Sequence, residues 1–385
     1  MPTEMFTEYA EQNEKQLYEE TCVVVKTEEE KIYGKAKRAL RDTHAKSHAA
    51  VKAHIEIFDI DEDAIKQGLA ERTKLPRTLI EGIKIRQGLF SSPGRHPVWL
   101  RFANGRPDVN PDSKSDTRAM SVKIINVEGD RLPECYQTNV QDIITQNGDV
   151  FFISSIADYL SFLKAAYKRP LFSLLWLIFH LRQFLALRGI TGFAPKSLLT
   201  ERYWSGSAYS LGLATRQGVC PDVPSVTYPA VVKYSFTPCM PEEPFLDVPR
   251  EKIDLPESEI PENYYREDLI EKLARPGARY CWNFGIQFQT TDEMSIDNII
   301  IPWPEVESPF FTVGRLTVEY QNIDFEKQLN FVEDLTFSPW NGLQAHRPVG
   351  ALNRLRRHVY PLIAAYRLKK RGVQIDEMTG NENPN

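Results

Sequence analysis

The stretch PVGALNRLRRHVYPLIAAYRLKKRG, Pro348 to Gly372, decides how the rest of the chain is read. It is rich in good helix formers, and Leu352, Leu355, Val359, Leu362 and Ile363 recur at helical spacing. Arg356 and Tyr360 are four residues apart, so on a helix their side chains are neighbours one turn from each other. A guanidinium beside a phenol oxygen stabilises the deprotonated form, an anionic oxygen ligand for a ferric centre. Surface helices also carry an Arg that merely covers a Tyr ring. The rest of the chain must therefore supply the other half of a site.

The chain has 385 residues and a formal charge of -5, enough to bury a full core in one large domain with appendages. The mildly acidic balance, with no basic stripe, argues against nucleic acid as the main partner. The five cysteines, Cys22, Cys135, Cys220, Cys239 and Cys281, are scattered, with no CxxC and no His at zinc-ligand spacing. They are expected to be small buried hydrophobes in a reducing compartment. The opening residues, MPTEMFTEYAEQNEK, are polar and acidic, unlike a secretory signal or transit peptide. A cytoplasmic location is the expectation.

Working outward, residues 1–38 read as an arm with a β-like run, TCVVVKT, laid on a domain over 39–373. His44, His48 and His54 cluster before a strand-like alternation from Ala53 to Ile60; His48 and His54 are expected to be surface or half-buried. Asp61 to Phe90 reads as an outer amphipathic helical element. Val98 to Phe102 and Met120 to Val127 form a hairpin carrying Arg101 and Arg118. A third β-rich run, DVFFISS, follows Gln146 and Asn147. Residues 159–190 are an apolar helical insertion. Its core, LFSLLWLIFHL at Leu171 to Leu181, is shorter than the roughly 20 apolar residues that span a bilayer. It reads as a packed helix or greasy lip with His180, Arg182 and Arg188 at its water edge, or as an interfacial helix touching lipid over 171–187. Short strands recur over Tyr203 to Phe236, Tyr280 to Thr290 and Phe311 to Tyr320, the pattern of an antiparallel β-barrel. With the helices this is an α+β chain. Residues 238–276 form a surface excursion, helical at Tyr264 to Ala274, and 374–385 a polar tail.

In this order the motifs resemble the haem catalase superfamily over most of the chain. Arg41-Asp42-Thr43-His44-Ala45-Lys46-Ser47 is similar to the distal motif, and Leu100-Arg101-Phe102 to the Val-Arg-Phe strand. Arg118 to Ile124, Gln146 to Ile153, Trp282 to Gln287 and the Val313-Gly314 pair resemble further family segments. Arg356 to Pro361, preceded by Phe337-Ser338-Pro339, resembles the proximal Arg-x-x-x-Tyr-Pro. The resemblance implies a catalase-like barrel with surrounding helices and haem b buried between the barrel and the C-terminal helix. It implies Tyr360 as iron ligand, Arg356 as its partner, and Arg41, Arg101 and Arg367 on the propionates. Arg367 lies seven residues after Tyr360, two turns along the same helix face. His44 becomes the distal base, since a neutral imidazole can take and return the peroxide proton at pH 7. Asn147 is the amide that orients the peroxide, although alignment from Phe151 puts Gln146 at the family position. Phe151 falls in the haem segment, and Tyr159 where catalases keep a Phe beside the haem.

Thr43 stands where catalases have an apolar residue, and Ser47 where they have Gly. A hydroxyl there can hydrogen-bond the distal imidazole. The most similar subgroup is the shortened catalase-related one, which includes coral-type allene oxide synthases and has Thr before the distal His. With the apolar insertion, this points to an organic or fatty-acid hydroperoxide substrate. A hydrogen peroxide catalase or peroxidase and a non-catalytic haem-binding protein are the alternatives. Oligomeric state is left open.

Overall fold

A computed structural model describes residues 4–36, 38–168, 170–219, 223–243, 246–375 and 377–382. The chain begins with β1 (Thr7–Tyr9) and helix α1 (Glu14–Tyr33). TCVVVKT, strand-like in isolation, lies inside α1. Glu- and Lys-rich flanks favour helix, and Val25 is buried with Leu355 and Val359 of the last helix. Next come β2 (Ser47–Ile57), the outer helices α2 (Glu62–Arg72) and α3 (Arg77–Gly82), β3 (Gly94–Asn104), β4 (Arg118–Ile125) and β5 (Val140–Gln146). The expected third strand is displaced. DVFFISS is irregular, with the Phe151 N–H bonded to the Ile299 carbonyl, and VQDIITQ before it forms the strand.

The apolar insertion folds as α4 (Ile156–Ala166), α5 (Pro170–Phe179) and α6 (Leu181–Thr191). Then follow β6 (Tyr203–Trp204), β7 (Ala208–Ser210), β8 (Arg216–Val219), β9 (Pro224–Thr227) and β10 (Val231–Cys239). The surface excursion carries α7 (Tyr264–Leu273) and leads to β11 (Arg279–Phe288) and β12 (Phe311–Glu319). The chain ends with α8 (Phe325–Asp334), β13 (Pro348–Val349) and α9 (Ala351–Arg371).

Eight strands close into an antiparallel barrel in the order β2-β3-β4-β5-β6-β10-β11-β12, with β12 returning to β2. Closure leaves no free edge among these strands. Alternation sends Leu100, Phe102, Met120, Val122, Phe236, Phe284 and Leu316 into one buried cluster. Outside the barrel, α9 packs with α1 and α4 through Leu355, Val359, Ile156 and Leu163. Residues 377–382 of the polar tail also lie on the body: Met378 is buried and Trp99 Nε1 donates to Glu382 at 3.0 Å.

Two sequence expectations are corrected. Cys239 and Cys281 are directly opposite in the β10–β11 register, with Cα atoms 5.3 Å apart, and are joined as a disulfide rather than packed as thiols. Cys22 and Cys135 are free and half-buried, and Cys220 lies outside the described residues. His48 is fully buried, because the bulge between Ser47 and Ala49 turns it onto Asn104 Oδ1 at 2.8 Å. His54 is half-buried as expected.

Candidate active site

Helix α9 starts at Gly350, whose φ is 90° and whose Cβ, if present, would lie 2.3 Å from the Ile296 carbonyl oxygen. From there Tyr360, Ile363, Ala364 and Arg367 fall on one face and together line a cavity. The facing wall is a straight cross-strand row. Arg101 of β3 pairs with Ser121 of β4, and Ser121 with Ile144 of β5. All three line the cavity, with Ala119 beside them. Arg41, Asp42, Thr43, His44 and Phe337 complete it. Residues from the two ends of the domain, Arg41 to His44 and Tyr360 to Arg367, thus meet in one space.

His44 adopts a left-handed φ of 59°, uncommon for a side chain with a Cβ. Three contacts hold it there: His44 N–H to the Gly105 carbonyl at 3.1 Å, Ala45 N–H to Arg106 at 3.1 Å, and Arg101 Nη2 to the His44 carbonyl at 2.5 Å. Its Nδ1 is buried without a partner. Burial, reinforced by the Arg101 charge, pushes the imidazole down to about 3, so it is neutral at pH 7.

The arginines form a connected group. Arg41 and Arg367 both donate to the Leu335 carbonyl, at 2.5 and 3.1 Å. Arg41 Nη1 also pairs with Glu333 at 2.8 Å. Ser47 Oγ donates to the other Glu333 oxygen at 2.6 Å and accepts from Arg101 Nε at 3.0 Å and Nη2 at 2.7 Å. Three guanidiniums thus gather at one carboxylate, which Arg41 contacts directly and Arg101 reaches through Ser47, and with Asp42 of the cavity lining the group keeps a net positive charge. Burial lowers all three, Arg367 to about 9, and Arg367 Nη1 has no partner. Such a group favours a ligand bearing carboxylates, with an apolar body against Ile144, Phe337, Ile363 and Ala364. Among the described residues no cluster of His, Cys, Asp and Glu is placed to hold a bare metal ion.

In fold the chain is similar to a fungal catalase, with a TM-score of 0.58 and 17% identity over 88% of this chain and 61% of that one. It is similar to catalase A from Saccharomyces cerevisiae, with a TM-score of 0.59, 17% identity and coverage of 88% and 63%. A bacterial catalase gives 0.58, 16%, 88% and 59%. The fold is a catalase fold. No family model and no curated protein matches the sequence. The chain spans less than two thirds of the length of these catalases.

On this catalase-like barrel the sequence candidates separate into two groups. Arg41, Thr43, His44, Arg101, Tyr360 and Arg367 come together in the cavity. Thr43 stands at its exposed rim, and no described hydrogen bond joins it to the His44 ring. Arg356 is not on the phenol oxygen. Its Nη1 donates to Ser207 Oγ at 3.1 Å and Asn353 Oδ1 at 3.2 Å, and its Cζ lies 5.9 Å from the Tyr360 ring centroid. Asn147 is outside the cavity. Its Oδ1 accepts the Arg118 N–H at 2.8 Å, and it lines a separate space with Ile190, Phe193, Trp204 and Arg250. Gln146 stands in register with cavity-lining Ala119, on the same face of β5 as Ile144, and is half-buried where Asn147 is buried. Its Nε2 donates to the Val150 carbonyl at 2.6 Å. Phe151 packs on Phe152, ring centroids 5.0 Å apart, and Tyr159 lines a smaller space against Leu352 and Leu355; neither reaches the cavity.

Sequence reading missed Glu333, the role of Ser47, and Asp42. Glu333 sits at a buried position of amphipathic α8, a charged residue on an apolar face that could have flagged it. Asp42 accepts from Tyr167 at 2.8 Å and is pushed up to about 6 by burial. Behind it Glu29 of α1 is buried with neither carboxyl oxygen hydrogen-bonded, and burial, with Asp42 nearby, raises it to about 8.

Proposed function

We propose that this cavity binds haem b and that the protein is a haem enzyme metabolising hydroperoxides, with organic or fatty-acid hydroperoxides preferred. The observation that carries the reading is that one cavity is lined by Tyr360, by His44, and by Arg41, Arg101 and Arg367. The residues fit the group. Tyr360 is an oxygen ligand of the kind that holds ferric haem, and three arginines with an orphaned Arg367 Nη1 suit the propionates.

When bound, haem supplies the redox chemistry that divides the peroxide O–O bond. The chain's own residues handle the proton and the orientation. His44, neutral and held by Arg101 through its carbonyl, accepts the hydroperoxide proton and returns it to the departing oxygen. Gln146, on the same face of β5 as cavity-lining Ile144, would be the amide that orients the substrate once it releases the Val150 carbonyl. Thr43 at the rim and the exposed apolar helices α5 and α6 favour a substrate with an acyl chain.

The test is haem reconstitution followed by turnover. A Soret band at one haem per chain, and consumption of a polyunsaturated fatty-acid hydroperoxide outpacing oxygen release from hydrogen peroxide, is expected. Haem uptake with hydrogen peroxide alone turned over would shift the substrate assignment; no haem uptake would sink the proposal.

A further inference from the structure

An ordinary surface helix turns its apolar stripe to the core. Helix α5 does the reverse. Leu171, Leu174, Leu175 and Ile178 fall at helical spacing on one face, and all are exposed, Ile178 at 59%. Phe179, 82% exposed, ends the stripe, and Leu181 and Leu185 of α6 continue it. The inner face of α5 is pinned instead by Trp176. Its indole N–H donates to Ser161 Oγ at 2.9 Å, its ring lies 5.3 Å from Phe162, and His180 stacks on it at 3.7 Å. The outward apolar face is therefore a fixed feature of the fold.

Charge sorts with it. From residue 159 to 200 there is no Asp or Glu, while Lys164, Lys168, Arg169, Arg182, Arg188 and Lys196 fall there, in a chain of formal charge -5. Arg182 and Arg188 are exposed on α6, and no described ion pair includes either. The two helices meet at 114°, and each is too short to cross a hydrocarbon core of about 30 Å. Lys164 and Lys196 are paired with Glu20 and Glu251 of other segments, which leaves Arg182 and Arg188 as the exposed cations of α6 beside the apolar face. Apolar side chains outward with these two guanidiniums next to them describe a surface that rests in the headgroup layer of an anionic bilayer.

We propose that α5 and α6 dock the protein onto an anionic lipid bilayer, with Leu171, Leu174, Leu175, Ile178 and Phe179 inserted and Arg182 and Arg188 on the headgroups. The docking surface stands independently of any cofactor in the barrel.

The experiment is co-sedimentation of the full chain with vesicles of phosphatidylcholine alone or mixed with phosphatidylserine. Sedimentation that rises with phosphatidylserine and falls with added salt is expected. An Ile178→Asp, Phe179→Asp double variant should lose about tenfold or more of the bound fraction with its melting curve unchanged, since both side chains are exposed. Arg182→Glu with Arg188→Glu should remove the preference for the anionic vesicle while leaving the apolar face intact. Absence of sedimentation with both vesicles overturns the proposal. So does a solution dimer that the double variant separates, because a second copy would then cover the face. Parent-like sedimentation of the charge-reversed variant overturns the headgroup assignment.

Discussion

Arg101 donates through Nη2 to the backbone carbonyl of His44 at 2.5 Å, and through Nε and the same Nη2 to Ser47 Oγ. One guanidinium thereby holds the left-handed His44 backbone and joins it to the Arg41–Glu333 pair. The base and the carboxylate-binding group are built as one unit, so changes in one are felt in the other.

Tyr360→Phe removes the only phenol oxygen among the cavity-lining residues. Haem reconstitution of this variant should give a weak or shifted Soret band, read by absorbance titration. An unchanged spectrum at full occupancy would refute Tyr360 as ligand.

Arg367→Leu deletes the guanidinium whose Nη1 has no partner, with little loss of internal bonding beyond the Leu335 carbonyl. Haem affinity should fall roughly ten- to a hundredfold, the worth of a charge-assisted bond of about 1.5–3 kcal/mol. Arg101→Leu should in addition lower the melting temperature, because it strips Ser47 and the His44 carbonyl of a donor.

His44→Ala should retain haem while turnover drops by roughly two to four orders of magnitude, the usual worth of a general acid-base. Stopped-flow kinetics on the reconstituted variant measure it, and near-parental turnover would point to another base.

Gln146→Ala and Asn147→Ala separate the two amides. Gln146→Ala should slow turnover about tenfold or more with stability little changed. Asn147→Ala should mainly cost about 1–2 kcal/mol in denaturant unfolding, because its Oδ1 satisfies the buried Arg118 N–H. The reverse pattern would restore Asn147 as the orienting amide.

Glu29 and Asp42 are raised to about 8 and about 6, so the folded state holds their protons more tightly than the unfolded chain. Their contribution is present at low pH and is lost as pH rises from about 4 through about 8. His44, His48 and His346 are lowered to about 3, 4 and 4, so their contribution is present above about 6.5 and lost as pH falls toward those values. Thermal stability should decline on both limbs, and Glu29→Gln should flatten the alkaline one. A melting profile for Glu29→Gln that declines as steeply as the parent above pH 7 would exclude Glu29 as its cause.

By itself the sequence determined the barrel, the α9 helix and the gathering of Arg41, His44, Arg101, Tyr360 and Arg367. The barrel and the helix rest on local periodicity, which places residues on definable faces, and the gathering of the five residues is what the ordered resemblance to catalase motifs implied. Only tertiary structure decided the rest. TCVVVKT became helix because Val25 packs on α9, and Cys239 met Cys281 because strand register, not spacing, sets cross-strand partners. Glu333 entered the arginine group because packing of α8 brings it to Arg41 and Ser47, and Gln146 shares the face of β5 that carries Ile144 because side chains alternate along a strand. Local preferences write elements and faces; which faces meet is decided by long-range packing.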